Sequence, residues 1–343
     1  TLTIAANGTL SAPRGNLEFT GNLDINCTTV ADQFIHNNGK FTAKDAIDAF
    51  CAPNNATFFD FDLDTSSGHD FDLREDITIL GTLDLTASTD VFIVDAAGAA
   101  GNITMTMGNA DNQATIESDT ADTFRFNPHS SNEILITGGS SLKPCLVTGQ
   151  DWKWDNGAAG AAGIKLANMD FQVAVDTDTG TGNAVKIILT GDCEFDAVTV
   201  SSGDTLDLNG QRMECSGLLD NQGTMDVDGG LIFAADLNLD ADYDNESGLN
   251  AVVLTGANSF DFGDGELTSG TFMVNVAGTA TNGGTIHGGN VIVGAGTLDM
   301  NNTSNTFGDL TIATGGIMTA GSGTSTVAGD FTTSGGLIGK SAL

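Results

Sequence analysis

Four near-copies of one hexapeptide constrain this chain more than anything else in it. They read GTLDLT at 81–86, DTLDLN at 204–209, GTMDVD at 223–228 and GTLDMN at 296–301. An active site is assembled once, whereas a structural coil is made by reuse. In each copy two apolar residues stand at i and i+2 with an Asp between them. That is the period of a short strand with one buried face and its acid turned outward. Leu206 and Met225 are 19 residues apart, as are Leu267 and Ile286, and both pairs sit in Gly-rich frames. Turns recurring about every 20 residues, with short strands and little helix, predict an all-β chain, a β-solenoid of roughly 20-residue coils with at most one short helix. No single coil buries its apolar side alone; stacking closes a continuous core. A uniform repeat over the whole chain predicts about 17 coils at the strand spacing of a sheet. The rival, a β-sandwich, needs hairpin signals every 8–12 residues, and these are scarce.

The acids point the same way. Of 45 acidic residues only eight are Glu, so 37 are Asp. Glu favours helices, whereas Asp bonds to nearby backbone and favours turns and caps. Forty-five Gly agree with many turns. Nineteen Phe against two Trp and one Tyr predict a Phe-lined core with few aromatics outside. Hydrophobic residues make up 40% of the chain, enough to fold despite a formal charge of −34. With 11 basic residues, none clustered, a nucleic-acid surface is excluded, and so is binding to an anionic membrane. No apolar run approaches the roughly 20 residues of a membrane span, so no insertion is expected. Five cysteines at 27, 51, 145, 193 and 215 form no CxxC pair and predict neither a zinc site nor a disulfide framework.

Along the chain three regions are expected: 1–75 as N-terminal coils, 76–190 as a less regular central β region, and 191–343 as a regular C-terminal solenoid. TAKDAIDAFCAP at 42–53 predicts a short helical insertion, with Thr42 as cap, an apolar stripe of Ala46, Ile47, Phe50 and Cys51, and Pro53 as stop. The pattern is already running at TLTI and still running at GGLIGKSAL, so the chain reads as a processed product or a fragment of something longer.

FIHNNGKFTA at 34–43 and NTFGDLTIATGGIMTAGSGTSTVAGDFTTSGG at 305–336 resemble a known kind of repeat. They are similar to the degenerate β-solenoid repeats of large bacterial surface adhesins and of tail-fibre and other structural proteins of phages, marine ones especially. Phe34, His36, Asn37, Asn38, Gly39 and Phe41 carry the first match. Phe307, Leu310, Thr311, Ile312 and Gly315 carry the second, with Asp309 in place of the usual Asn. The resemblance covers about the first 45 and last 150 residues. It implies a virion-surface or extracellular structural role and brings no catalytic residues.

Three passages are candidate sites. In FFDFDLDTSSGHDFDLRED at 58–76, Asp60, Asp62 and Asp64 alternate with apolar residues, as do Asp70 and Asp72. On neighbouring strands these carboxylates would line one outer face and offer oxygens to Ca²⁺; otherwise they are a solvated face. In LDADYDNESG at 239–248, Asp240, Asp242, Asp244 and Glu246 alternate. Asn245 in place of Gly and Ala251 in place of the bidentate Glu reject an EF-hand and leave an irregular Ca²⁺ turn or an acidic loop. In DWKWDNG, Trp152 and Trp154 share one strand face. They are either core or a sugar-stacking platform flanked by Asp151 and Asp155. The histidines at 36, 69, 129 and 287 are dispersed and read as turn or surface residues.

These features predict a non-catalytic structural or attachment component of a virion or particle surface. It would self-associate as a trimer or higher assembly, or continue into further modules, because a solenoid's ends need covering. A bacterial surface adhesin binding glycans is the alternative. A tailspike-like polysaccharide-degrading enzyme is the second, although Asp is so abundant that carboxylate pairs carry no information.

Overall fold

The structure is a computed structural model. It describes all residues except 45–48, 65–69, 87–90, 96–98, 100, 119–123, 128–132, 141, 150–151, 154–162, 178–183, 228, 240–242, 245–250, 257–258, 262–270, 283–285, 287, 302–303 and 340–343. Parallel coils of about 21 residues stack into a β-solenoid of about 12 turns. The contacts divide it into two units, Thr1–Cys193 and Glu194–Leu343.

In the first unit the coils lay their strands on three walls. One wall runs Leu2–Ile4, Leu23–Ile25, Ala49–Ala52, Asp70–Leu73, Val91–Asp95 and Phe124–Asn127. A second runs from Ala56–Phe58 through Ile77–Ile79, Ile103–Met107 and Ile134–Gly138 to Ile164–Ala167 and Lys186–Leu189. The third runs from Asn16–Phe19 through Lys40–Lys44, Asp60–Asp64, Thr82–Asp84 and Thr115–Ser118 to Cys145–Gly149 and Met169–Asp176. Parallel register puts like residues above one another. Leu17, Phe41, Phe61, Leu83, Ile116, Val147 and Phe171 form one inward column of the third wall. Ala56, Ile77, Met105, Ile136, Leu166 and Leu189 form one of the second, all fully buried.

The predicted Phe-lined core lies in this unit. Phe58 and Phe61 meet edge-on at 5.4 Å between centroids, and Phe61 touches Phe71 at 6.0 Å, which touches Phe92 at 6.0 Å. Rings at these separations add quadrupole attraction to the area that they bury.

The repeat is not uniform, and the expectation of about 17 coils gives way to about 12. Phe71 stands opposite Phe92, 21 residues on, but Phe92 stands opposite Phe124, 32 residues on. Thr82 pairs with Thr115 and Ile103 with Ile134 across comparably long coils. The extra residues fall between strands, where added length costs only loop entropy and leaves the ladder intact.

The helix expected at 42–53 does not form. Lys40–Lys44 and Ala49–Ala52 are strands, and residues 45–48 lie outside the described set. Phe41, Ala43, Ala49 and Cys51 are buried apolar positions at a period of two, and Thr42, on the outward column, is buried as well. Ladders to Asn16–Phe19 and Asp60–Asp64 on one side of the gap, and to Asp70–Leu73 on the other, outweigh a local helical pattern. Among the described residues the α-helix is one turn, Val30–Gln33, whose Gln33 Oε1 accepts the Thr29 N–H at 2.8 Å.

In the second unit the coils are shorter and more even. Thr205 stands opposite Thr224, Arg212 opposite Leu231 and Leu310 opposite Phe331, at spacings of 19 to 21 residues. Here two walls are spanned by single long strands, Arg212–Asn221, Leu231–Leu239, Thr271–Asn282 and Asn290–Asp299. Register shifts between Cys215 and Leu218, and between Val274 and Thr279, mark the corner that these strands turn. Met213, Ile232, Val252, Phe272, Val291, Leu310 and Phe331 form one column; Ala280, Leu298, Met318 and Leu337 form another.

Candidate functional site

The repeated hexapeptides locate the first feature. Thr82–Asp84, Thr205–Asp207 and Thr224–Asp226 are strands, and Thr297 to Asp299 ends a longer one. Leu83, Leu206, Met225 and Leu298 point inward at 0–2% exposure, as do Leu85, Leu208, Val227 and Met300. The intervening acid works locally. Asp84 Oδ1 accepts the Thr86 N–H at 3.1 Å and the Thr86 hydroxyl at 2.6 Å. Asp207 Oδ1 accepts the Asn209 N–H at 2.8 Å, and Asp299 Oδ1 the Asn301 N–H at 3.0 Å. Asn209 and Asn301 sit in the left-handed region at φ 47° and 49°, which Asn tolerates better than other residues with a Cβ. Three of the four copies, those of Asp84, Asp207 and Asp299, are therefore strands closed by an Asp-capped turn. The leading glycine has its own reason. A Cβ at 223 would stand 2.6 Å from the Asp204 carbonyl oxygen and closer still to that of Ser201.

The second feature is the outer face of the third wall. Glu18, Thr42, Asp62, Asp84, Glu117 and Thr148 form one outward column. Carboxylates directly opposite one another repel, so Asp62 over Asp84 and Asp84 over Glu117 need a counter-charge or solvent. Lys40 supplies it for the first pair, with Nζ 2.7 Å from Asp62 Oδ2 and 3.9 Å from Asp84 Oδ2. Burial alone would lower the Lys40 pKa, but the hydrogen bond and charge of Asp62, with Asp84 and Asp60, outweigh it and hold the amine above its ordinary value. Asp62, buried at 7% exposure, also accepts the Thr42 hydroxyl at 3.1 Å.

The structure separates the first predicted acid set. Asp60, Asp62 and Asp64 lie on the third wall, whereas Asp70 and Asp72 lie on the first. They do not line one face. Asp60 Oδ1 accepts the Thr82 N–H at 2.9 Å, Lys44 Nζ stands 3.8 Å from Asp64, and Arg74 pairs with Asp72 at 2.7 Å. Asp244 pairs in register with Asp226, but Asp240, Asp242 and Glu246 lie outside the described residues. Trp152 begins a two-residue strand opposite Val175, while Asp151, Trp154 and Asp155 lie outside the described residues. Among the described residues no three His, Cys, Asp or Glu side chains gather to hold a metal ion, and no helix is long and apolar enough to cross a membrane.

The third feature was not anticipated. At the corner between the first and second walls a cleft of about 230 Å³ is lined by Asn54, Asn55, Arg74, Glu75, Asp76 and Asn102, with Gly101. Stacked turns build it, each tied to the next coil. Asn54 N–H donates to Glu75 Oε2 at 2.8 Å, Thr104 N–H to Asp76 Oδ1 at 2.6 Å and Glu133 N–H to Asn102 Oδ1 at 2.9 Å. These residues are far apart in sequence, so no local motif announces them. Amides, carboxylates and a guanidinium around one concavity offer donors and acceptors to a polyhydroxylated ligand. His36 is in a turn as expected. Its Nδ1 accepts the Asn38 N–H at 3.0 Å, its ring stacks on Phe59, and burial pushes its pKa down.

No protein-family model, no curated protein and no solved structure matches this chain.

Proposed function

We propose that the chain is a non-catalytic structural and attachment component of a virion or other particle surface, with mechanical continuity as its working property. The observation that carries this reading is the division of labour along the stacked columns. Inward columns are apolar and buried, outward columns are polar, and the acid of the recurring strand motif is used to close a turn. Parallel ladders give each backbone group a partner along the stack. The acidic flanks discourage lateral strand pairing. The resemblance of residues 34–43 and 305–336 to phage fibre and adhesin repeats supports the same role. Immunogold electron microscopy on the source culture tests it. Label on free virus-sized particles is the expected result, and label confined to the cell interior overturns it.

The adhesin alternative draws on the corner cleft, whose polar lining suits a glycan. A glycan array probed with the whole chain and with Asn55→Ala and Trp152→Ala distinguishes the two candidate contact points. Binding that neither substitution weakens removes both from the adhesin reading.

A further inference from the structure

The corner cleft of the first unit draws its lining from three successive coils, Asn54 and Asn55 from one, Arg74 to Asp76 from the next, and Asn102 with Gly101 from the third. At the strand spacing of a sheet it therefore runs about 10 Å along the stack. Its side chains are fixed by the fold itself. Asn54 and Asn55 lie in the left-handed region at φ 50° and 58°, in a turn closed by the Ala56 N–H on the Pro53 carbonyl at 2.9 Å. Asn54 Nδ2 donates to the Cys27 carbonyl at 3.0 Å. Glu75 Oε2, Asp76 Oδ1 and Asn102 Oδ1 each accept a backbone N–H from another coil. Each of these three side chains keeps a second polar atom, already held in position. Ordering of this kind removes an entropic cost from binding.

Charge then narrows the ligand. Arg74 is the cleft's cation, and it is paired at 2.7 Å with Asp72 and at 3.4 Å with the buried Asp95. Glu75 and Asp76 add two acids, so the surroundings are acidic and an anionic ligand is repelled. Carboxylates accept and amides both donate and accept, which matches vicinal hydroxyls on an uncharged ring.

The wall beside the cleft continues in the same chemistry. Asp76 holds the N–H of Thr104, and Thr104 shares the outward face of Ile103–Met107 with Thr106. Thr106 stands in register with Thr78 on one side and Thr137 on the other, and Thr78 with Thr57. These four half-buried threonines form an outward column without charge, repeating a hydroxyl and a methyl once per coil. Hydroxyls and C–H faces alternate around a sugar ring as well, so a ligand seated in the cleft meets matching chemistry further along the stack. Thr137 lies one coil beyond the cleft.

We infer that the corner cleft and the threonine column beside it form a binding site for an uncharged glycan chain lying along the second wall. This rests on the adhesin reading of the cleft and adds to it the ligand's charge, its polymeric nature and its direction.

An array carrying glucan, mannan and galactan oligosaccharides beside oligouronates and sialylated glycans, followed by calorimetric titration of the strongest probe, tests it. At about 150 mM salt long-range repulsion is screened, so any rejection of acids is local. The whole chain is expected to bind a neutral class and to leave the acidic glycans unbound. Asn55→Gly keeps a left-handed turn accessible, and Thr106→Val keeps a β-branched strand residue, so the double variant should fold. It should bind at least about tenfold more weakly, through the lost amide and hydroxyl. Thr137→Val should weaken a long oligosaccharide and leave a disaccharide of the same sugar unchanged. Acidic glycans bound as tightly as neutral ones, neutral binding that survives Asn55→Gly with Thr106→Val, or a Thr137→Val effect that is the same for both lengths overturns the inference and leaves the adhesin reading standing. Binding to no glycan at all overturns both.

Discussion

The Asp of the repeated hexapeptide separates two explanations of an acidic solenoid, a turn acceptor or a counter-ion ligand, and substitution distinguishes them. In the second unit Asp207 and Asp299 each accept a backbone N–H two residues on, at 2.8 and 3.0 Å, into turns whose Asn lies in the left-handed region. Replacing either by Ala removes that acceptor. An ordinary hydrogen bond contributes about 0.5–1.5 kcal/mol net, and one to a charged group about 1.5–3 kcal/mol. Water reaches these turns and replaces part of the bond, so about 1 kcal/mol per site is expected. The two residues are in separate coils, so the double variant Asp207→Ala/Asp299→Ala should lose about 2 kcal/mol. For a unit of this size that is about 4–8 °C in Tm. Asn keeps an oxygen in the same place while removing the charge, so Asp207→Asn/Asp299→Asn should stay within about 0.5 kcal/mol of the parent chain. Urea unfolding followed by far-UV circular dichroism, with and without added Ca²⁺, reads all three proteins. If Asn costs as much as Ala, or abolishes a Ca²⁺-dependent gain in stability, the carboxylate charge is what matters and the turn explanation fails.

Three further outcomes are expected. Phe61 is fully buried against Phe58, Phe71 and Phe19, so Phe61→Ala should destabilise the first unit by about 3–5 kcal/mol and Phe61→Leu by under about 1.5 kcal/mol; equal, small losses would show that the rings do not pack as described. All five thiols are buried, and burial pushes Cys27, Cys51, Cys145 and Cys215 up, the last to about 11; DTNB should label none in the native protein and five after unfolding, and fast native labelling would contradict the burial. Burial lowers the pKa of His36 below the ordinary 6.5, so around that pH the folded state binds fewer protons than the unfolded one. Its contribution to stability is full above 6.5 and is lost as pH falls through that value. The urea midpoint of the parent chain should therefore decline between about pH 7.5 and about pH 5 relative to that of His36→Gln, and parallel midpoints would show that His36 is not the titrating group.

Much of this molecule was legible in its primary structure, because a solenoid coil is a local unit. Period-two alternation, the 19-residue spacing and the excess of Asp over Glu each report on one strand and one turn. The spacing Asp207 to Asn209, repeated at Asp299 to Asn301, already contains the turn that those residues form. Like residues stack on like because a parallel ladder keeps register, so Phe41 lies over Phe61 without long-range information.

What the tertiary structure decided was which residues meet around and between coils. The alternation at 58–73 looks like one acidic face, yet Asp60–Asp64 and Asp70–Leu73 pair into different walls, which the ladder partners of each strand decide. The apolar stripe at 46–51 has the spacing of a helix, but ladders on both sides draw the flanking residues into strands. Lys40 bridges Asp62 and Asp84, residues 22 and 44 positions away, and no local pattern pairs them. The number of coils was likewise undetermined, because residues inserted between strands lengthen a coil without changing the alternation that identifies it. Local chemistry sets strands and turns; the stacking register of distant segments sets the walls and the cleft.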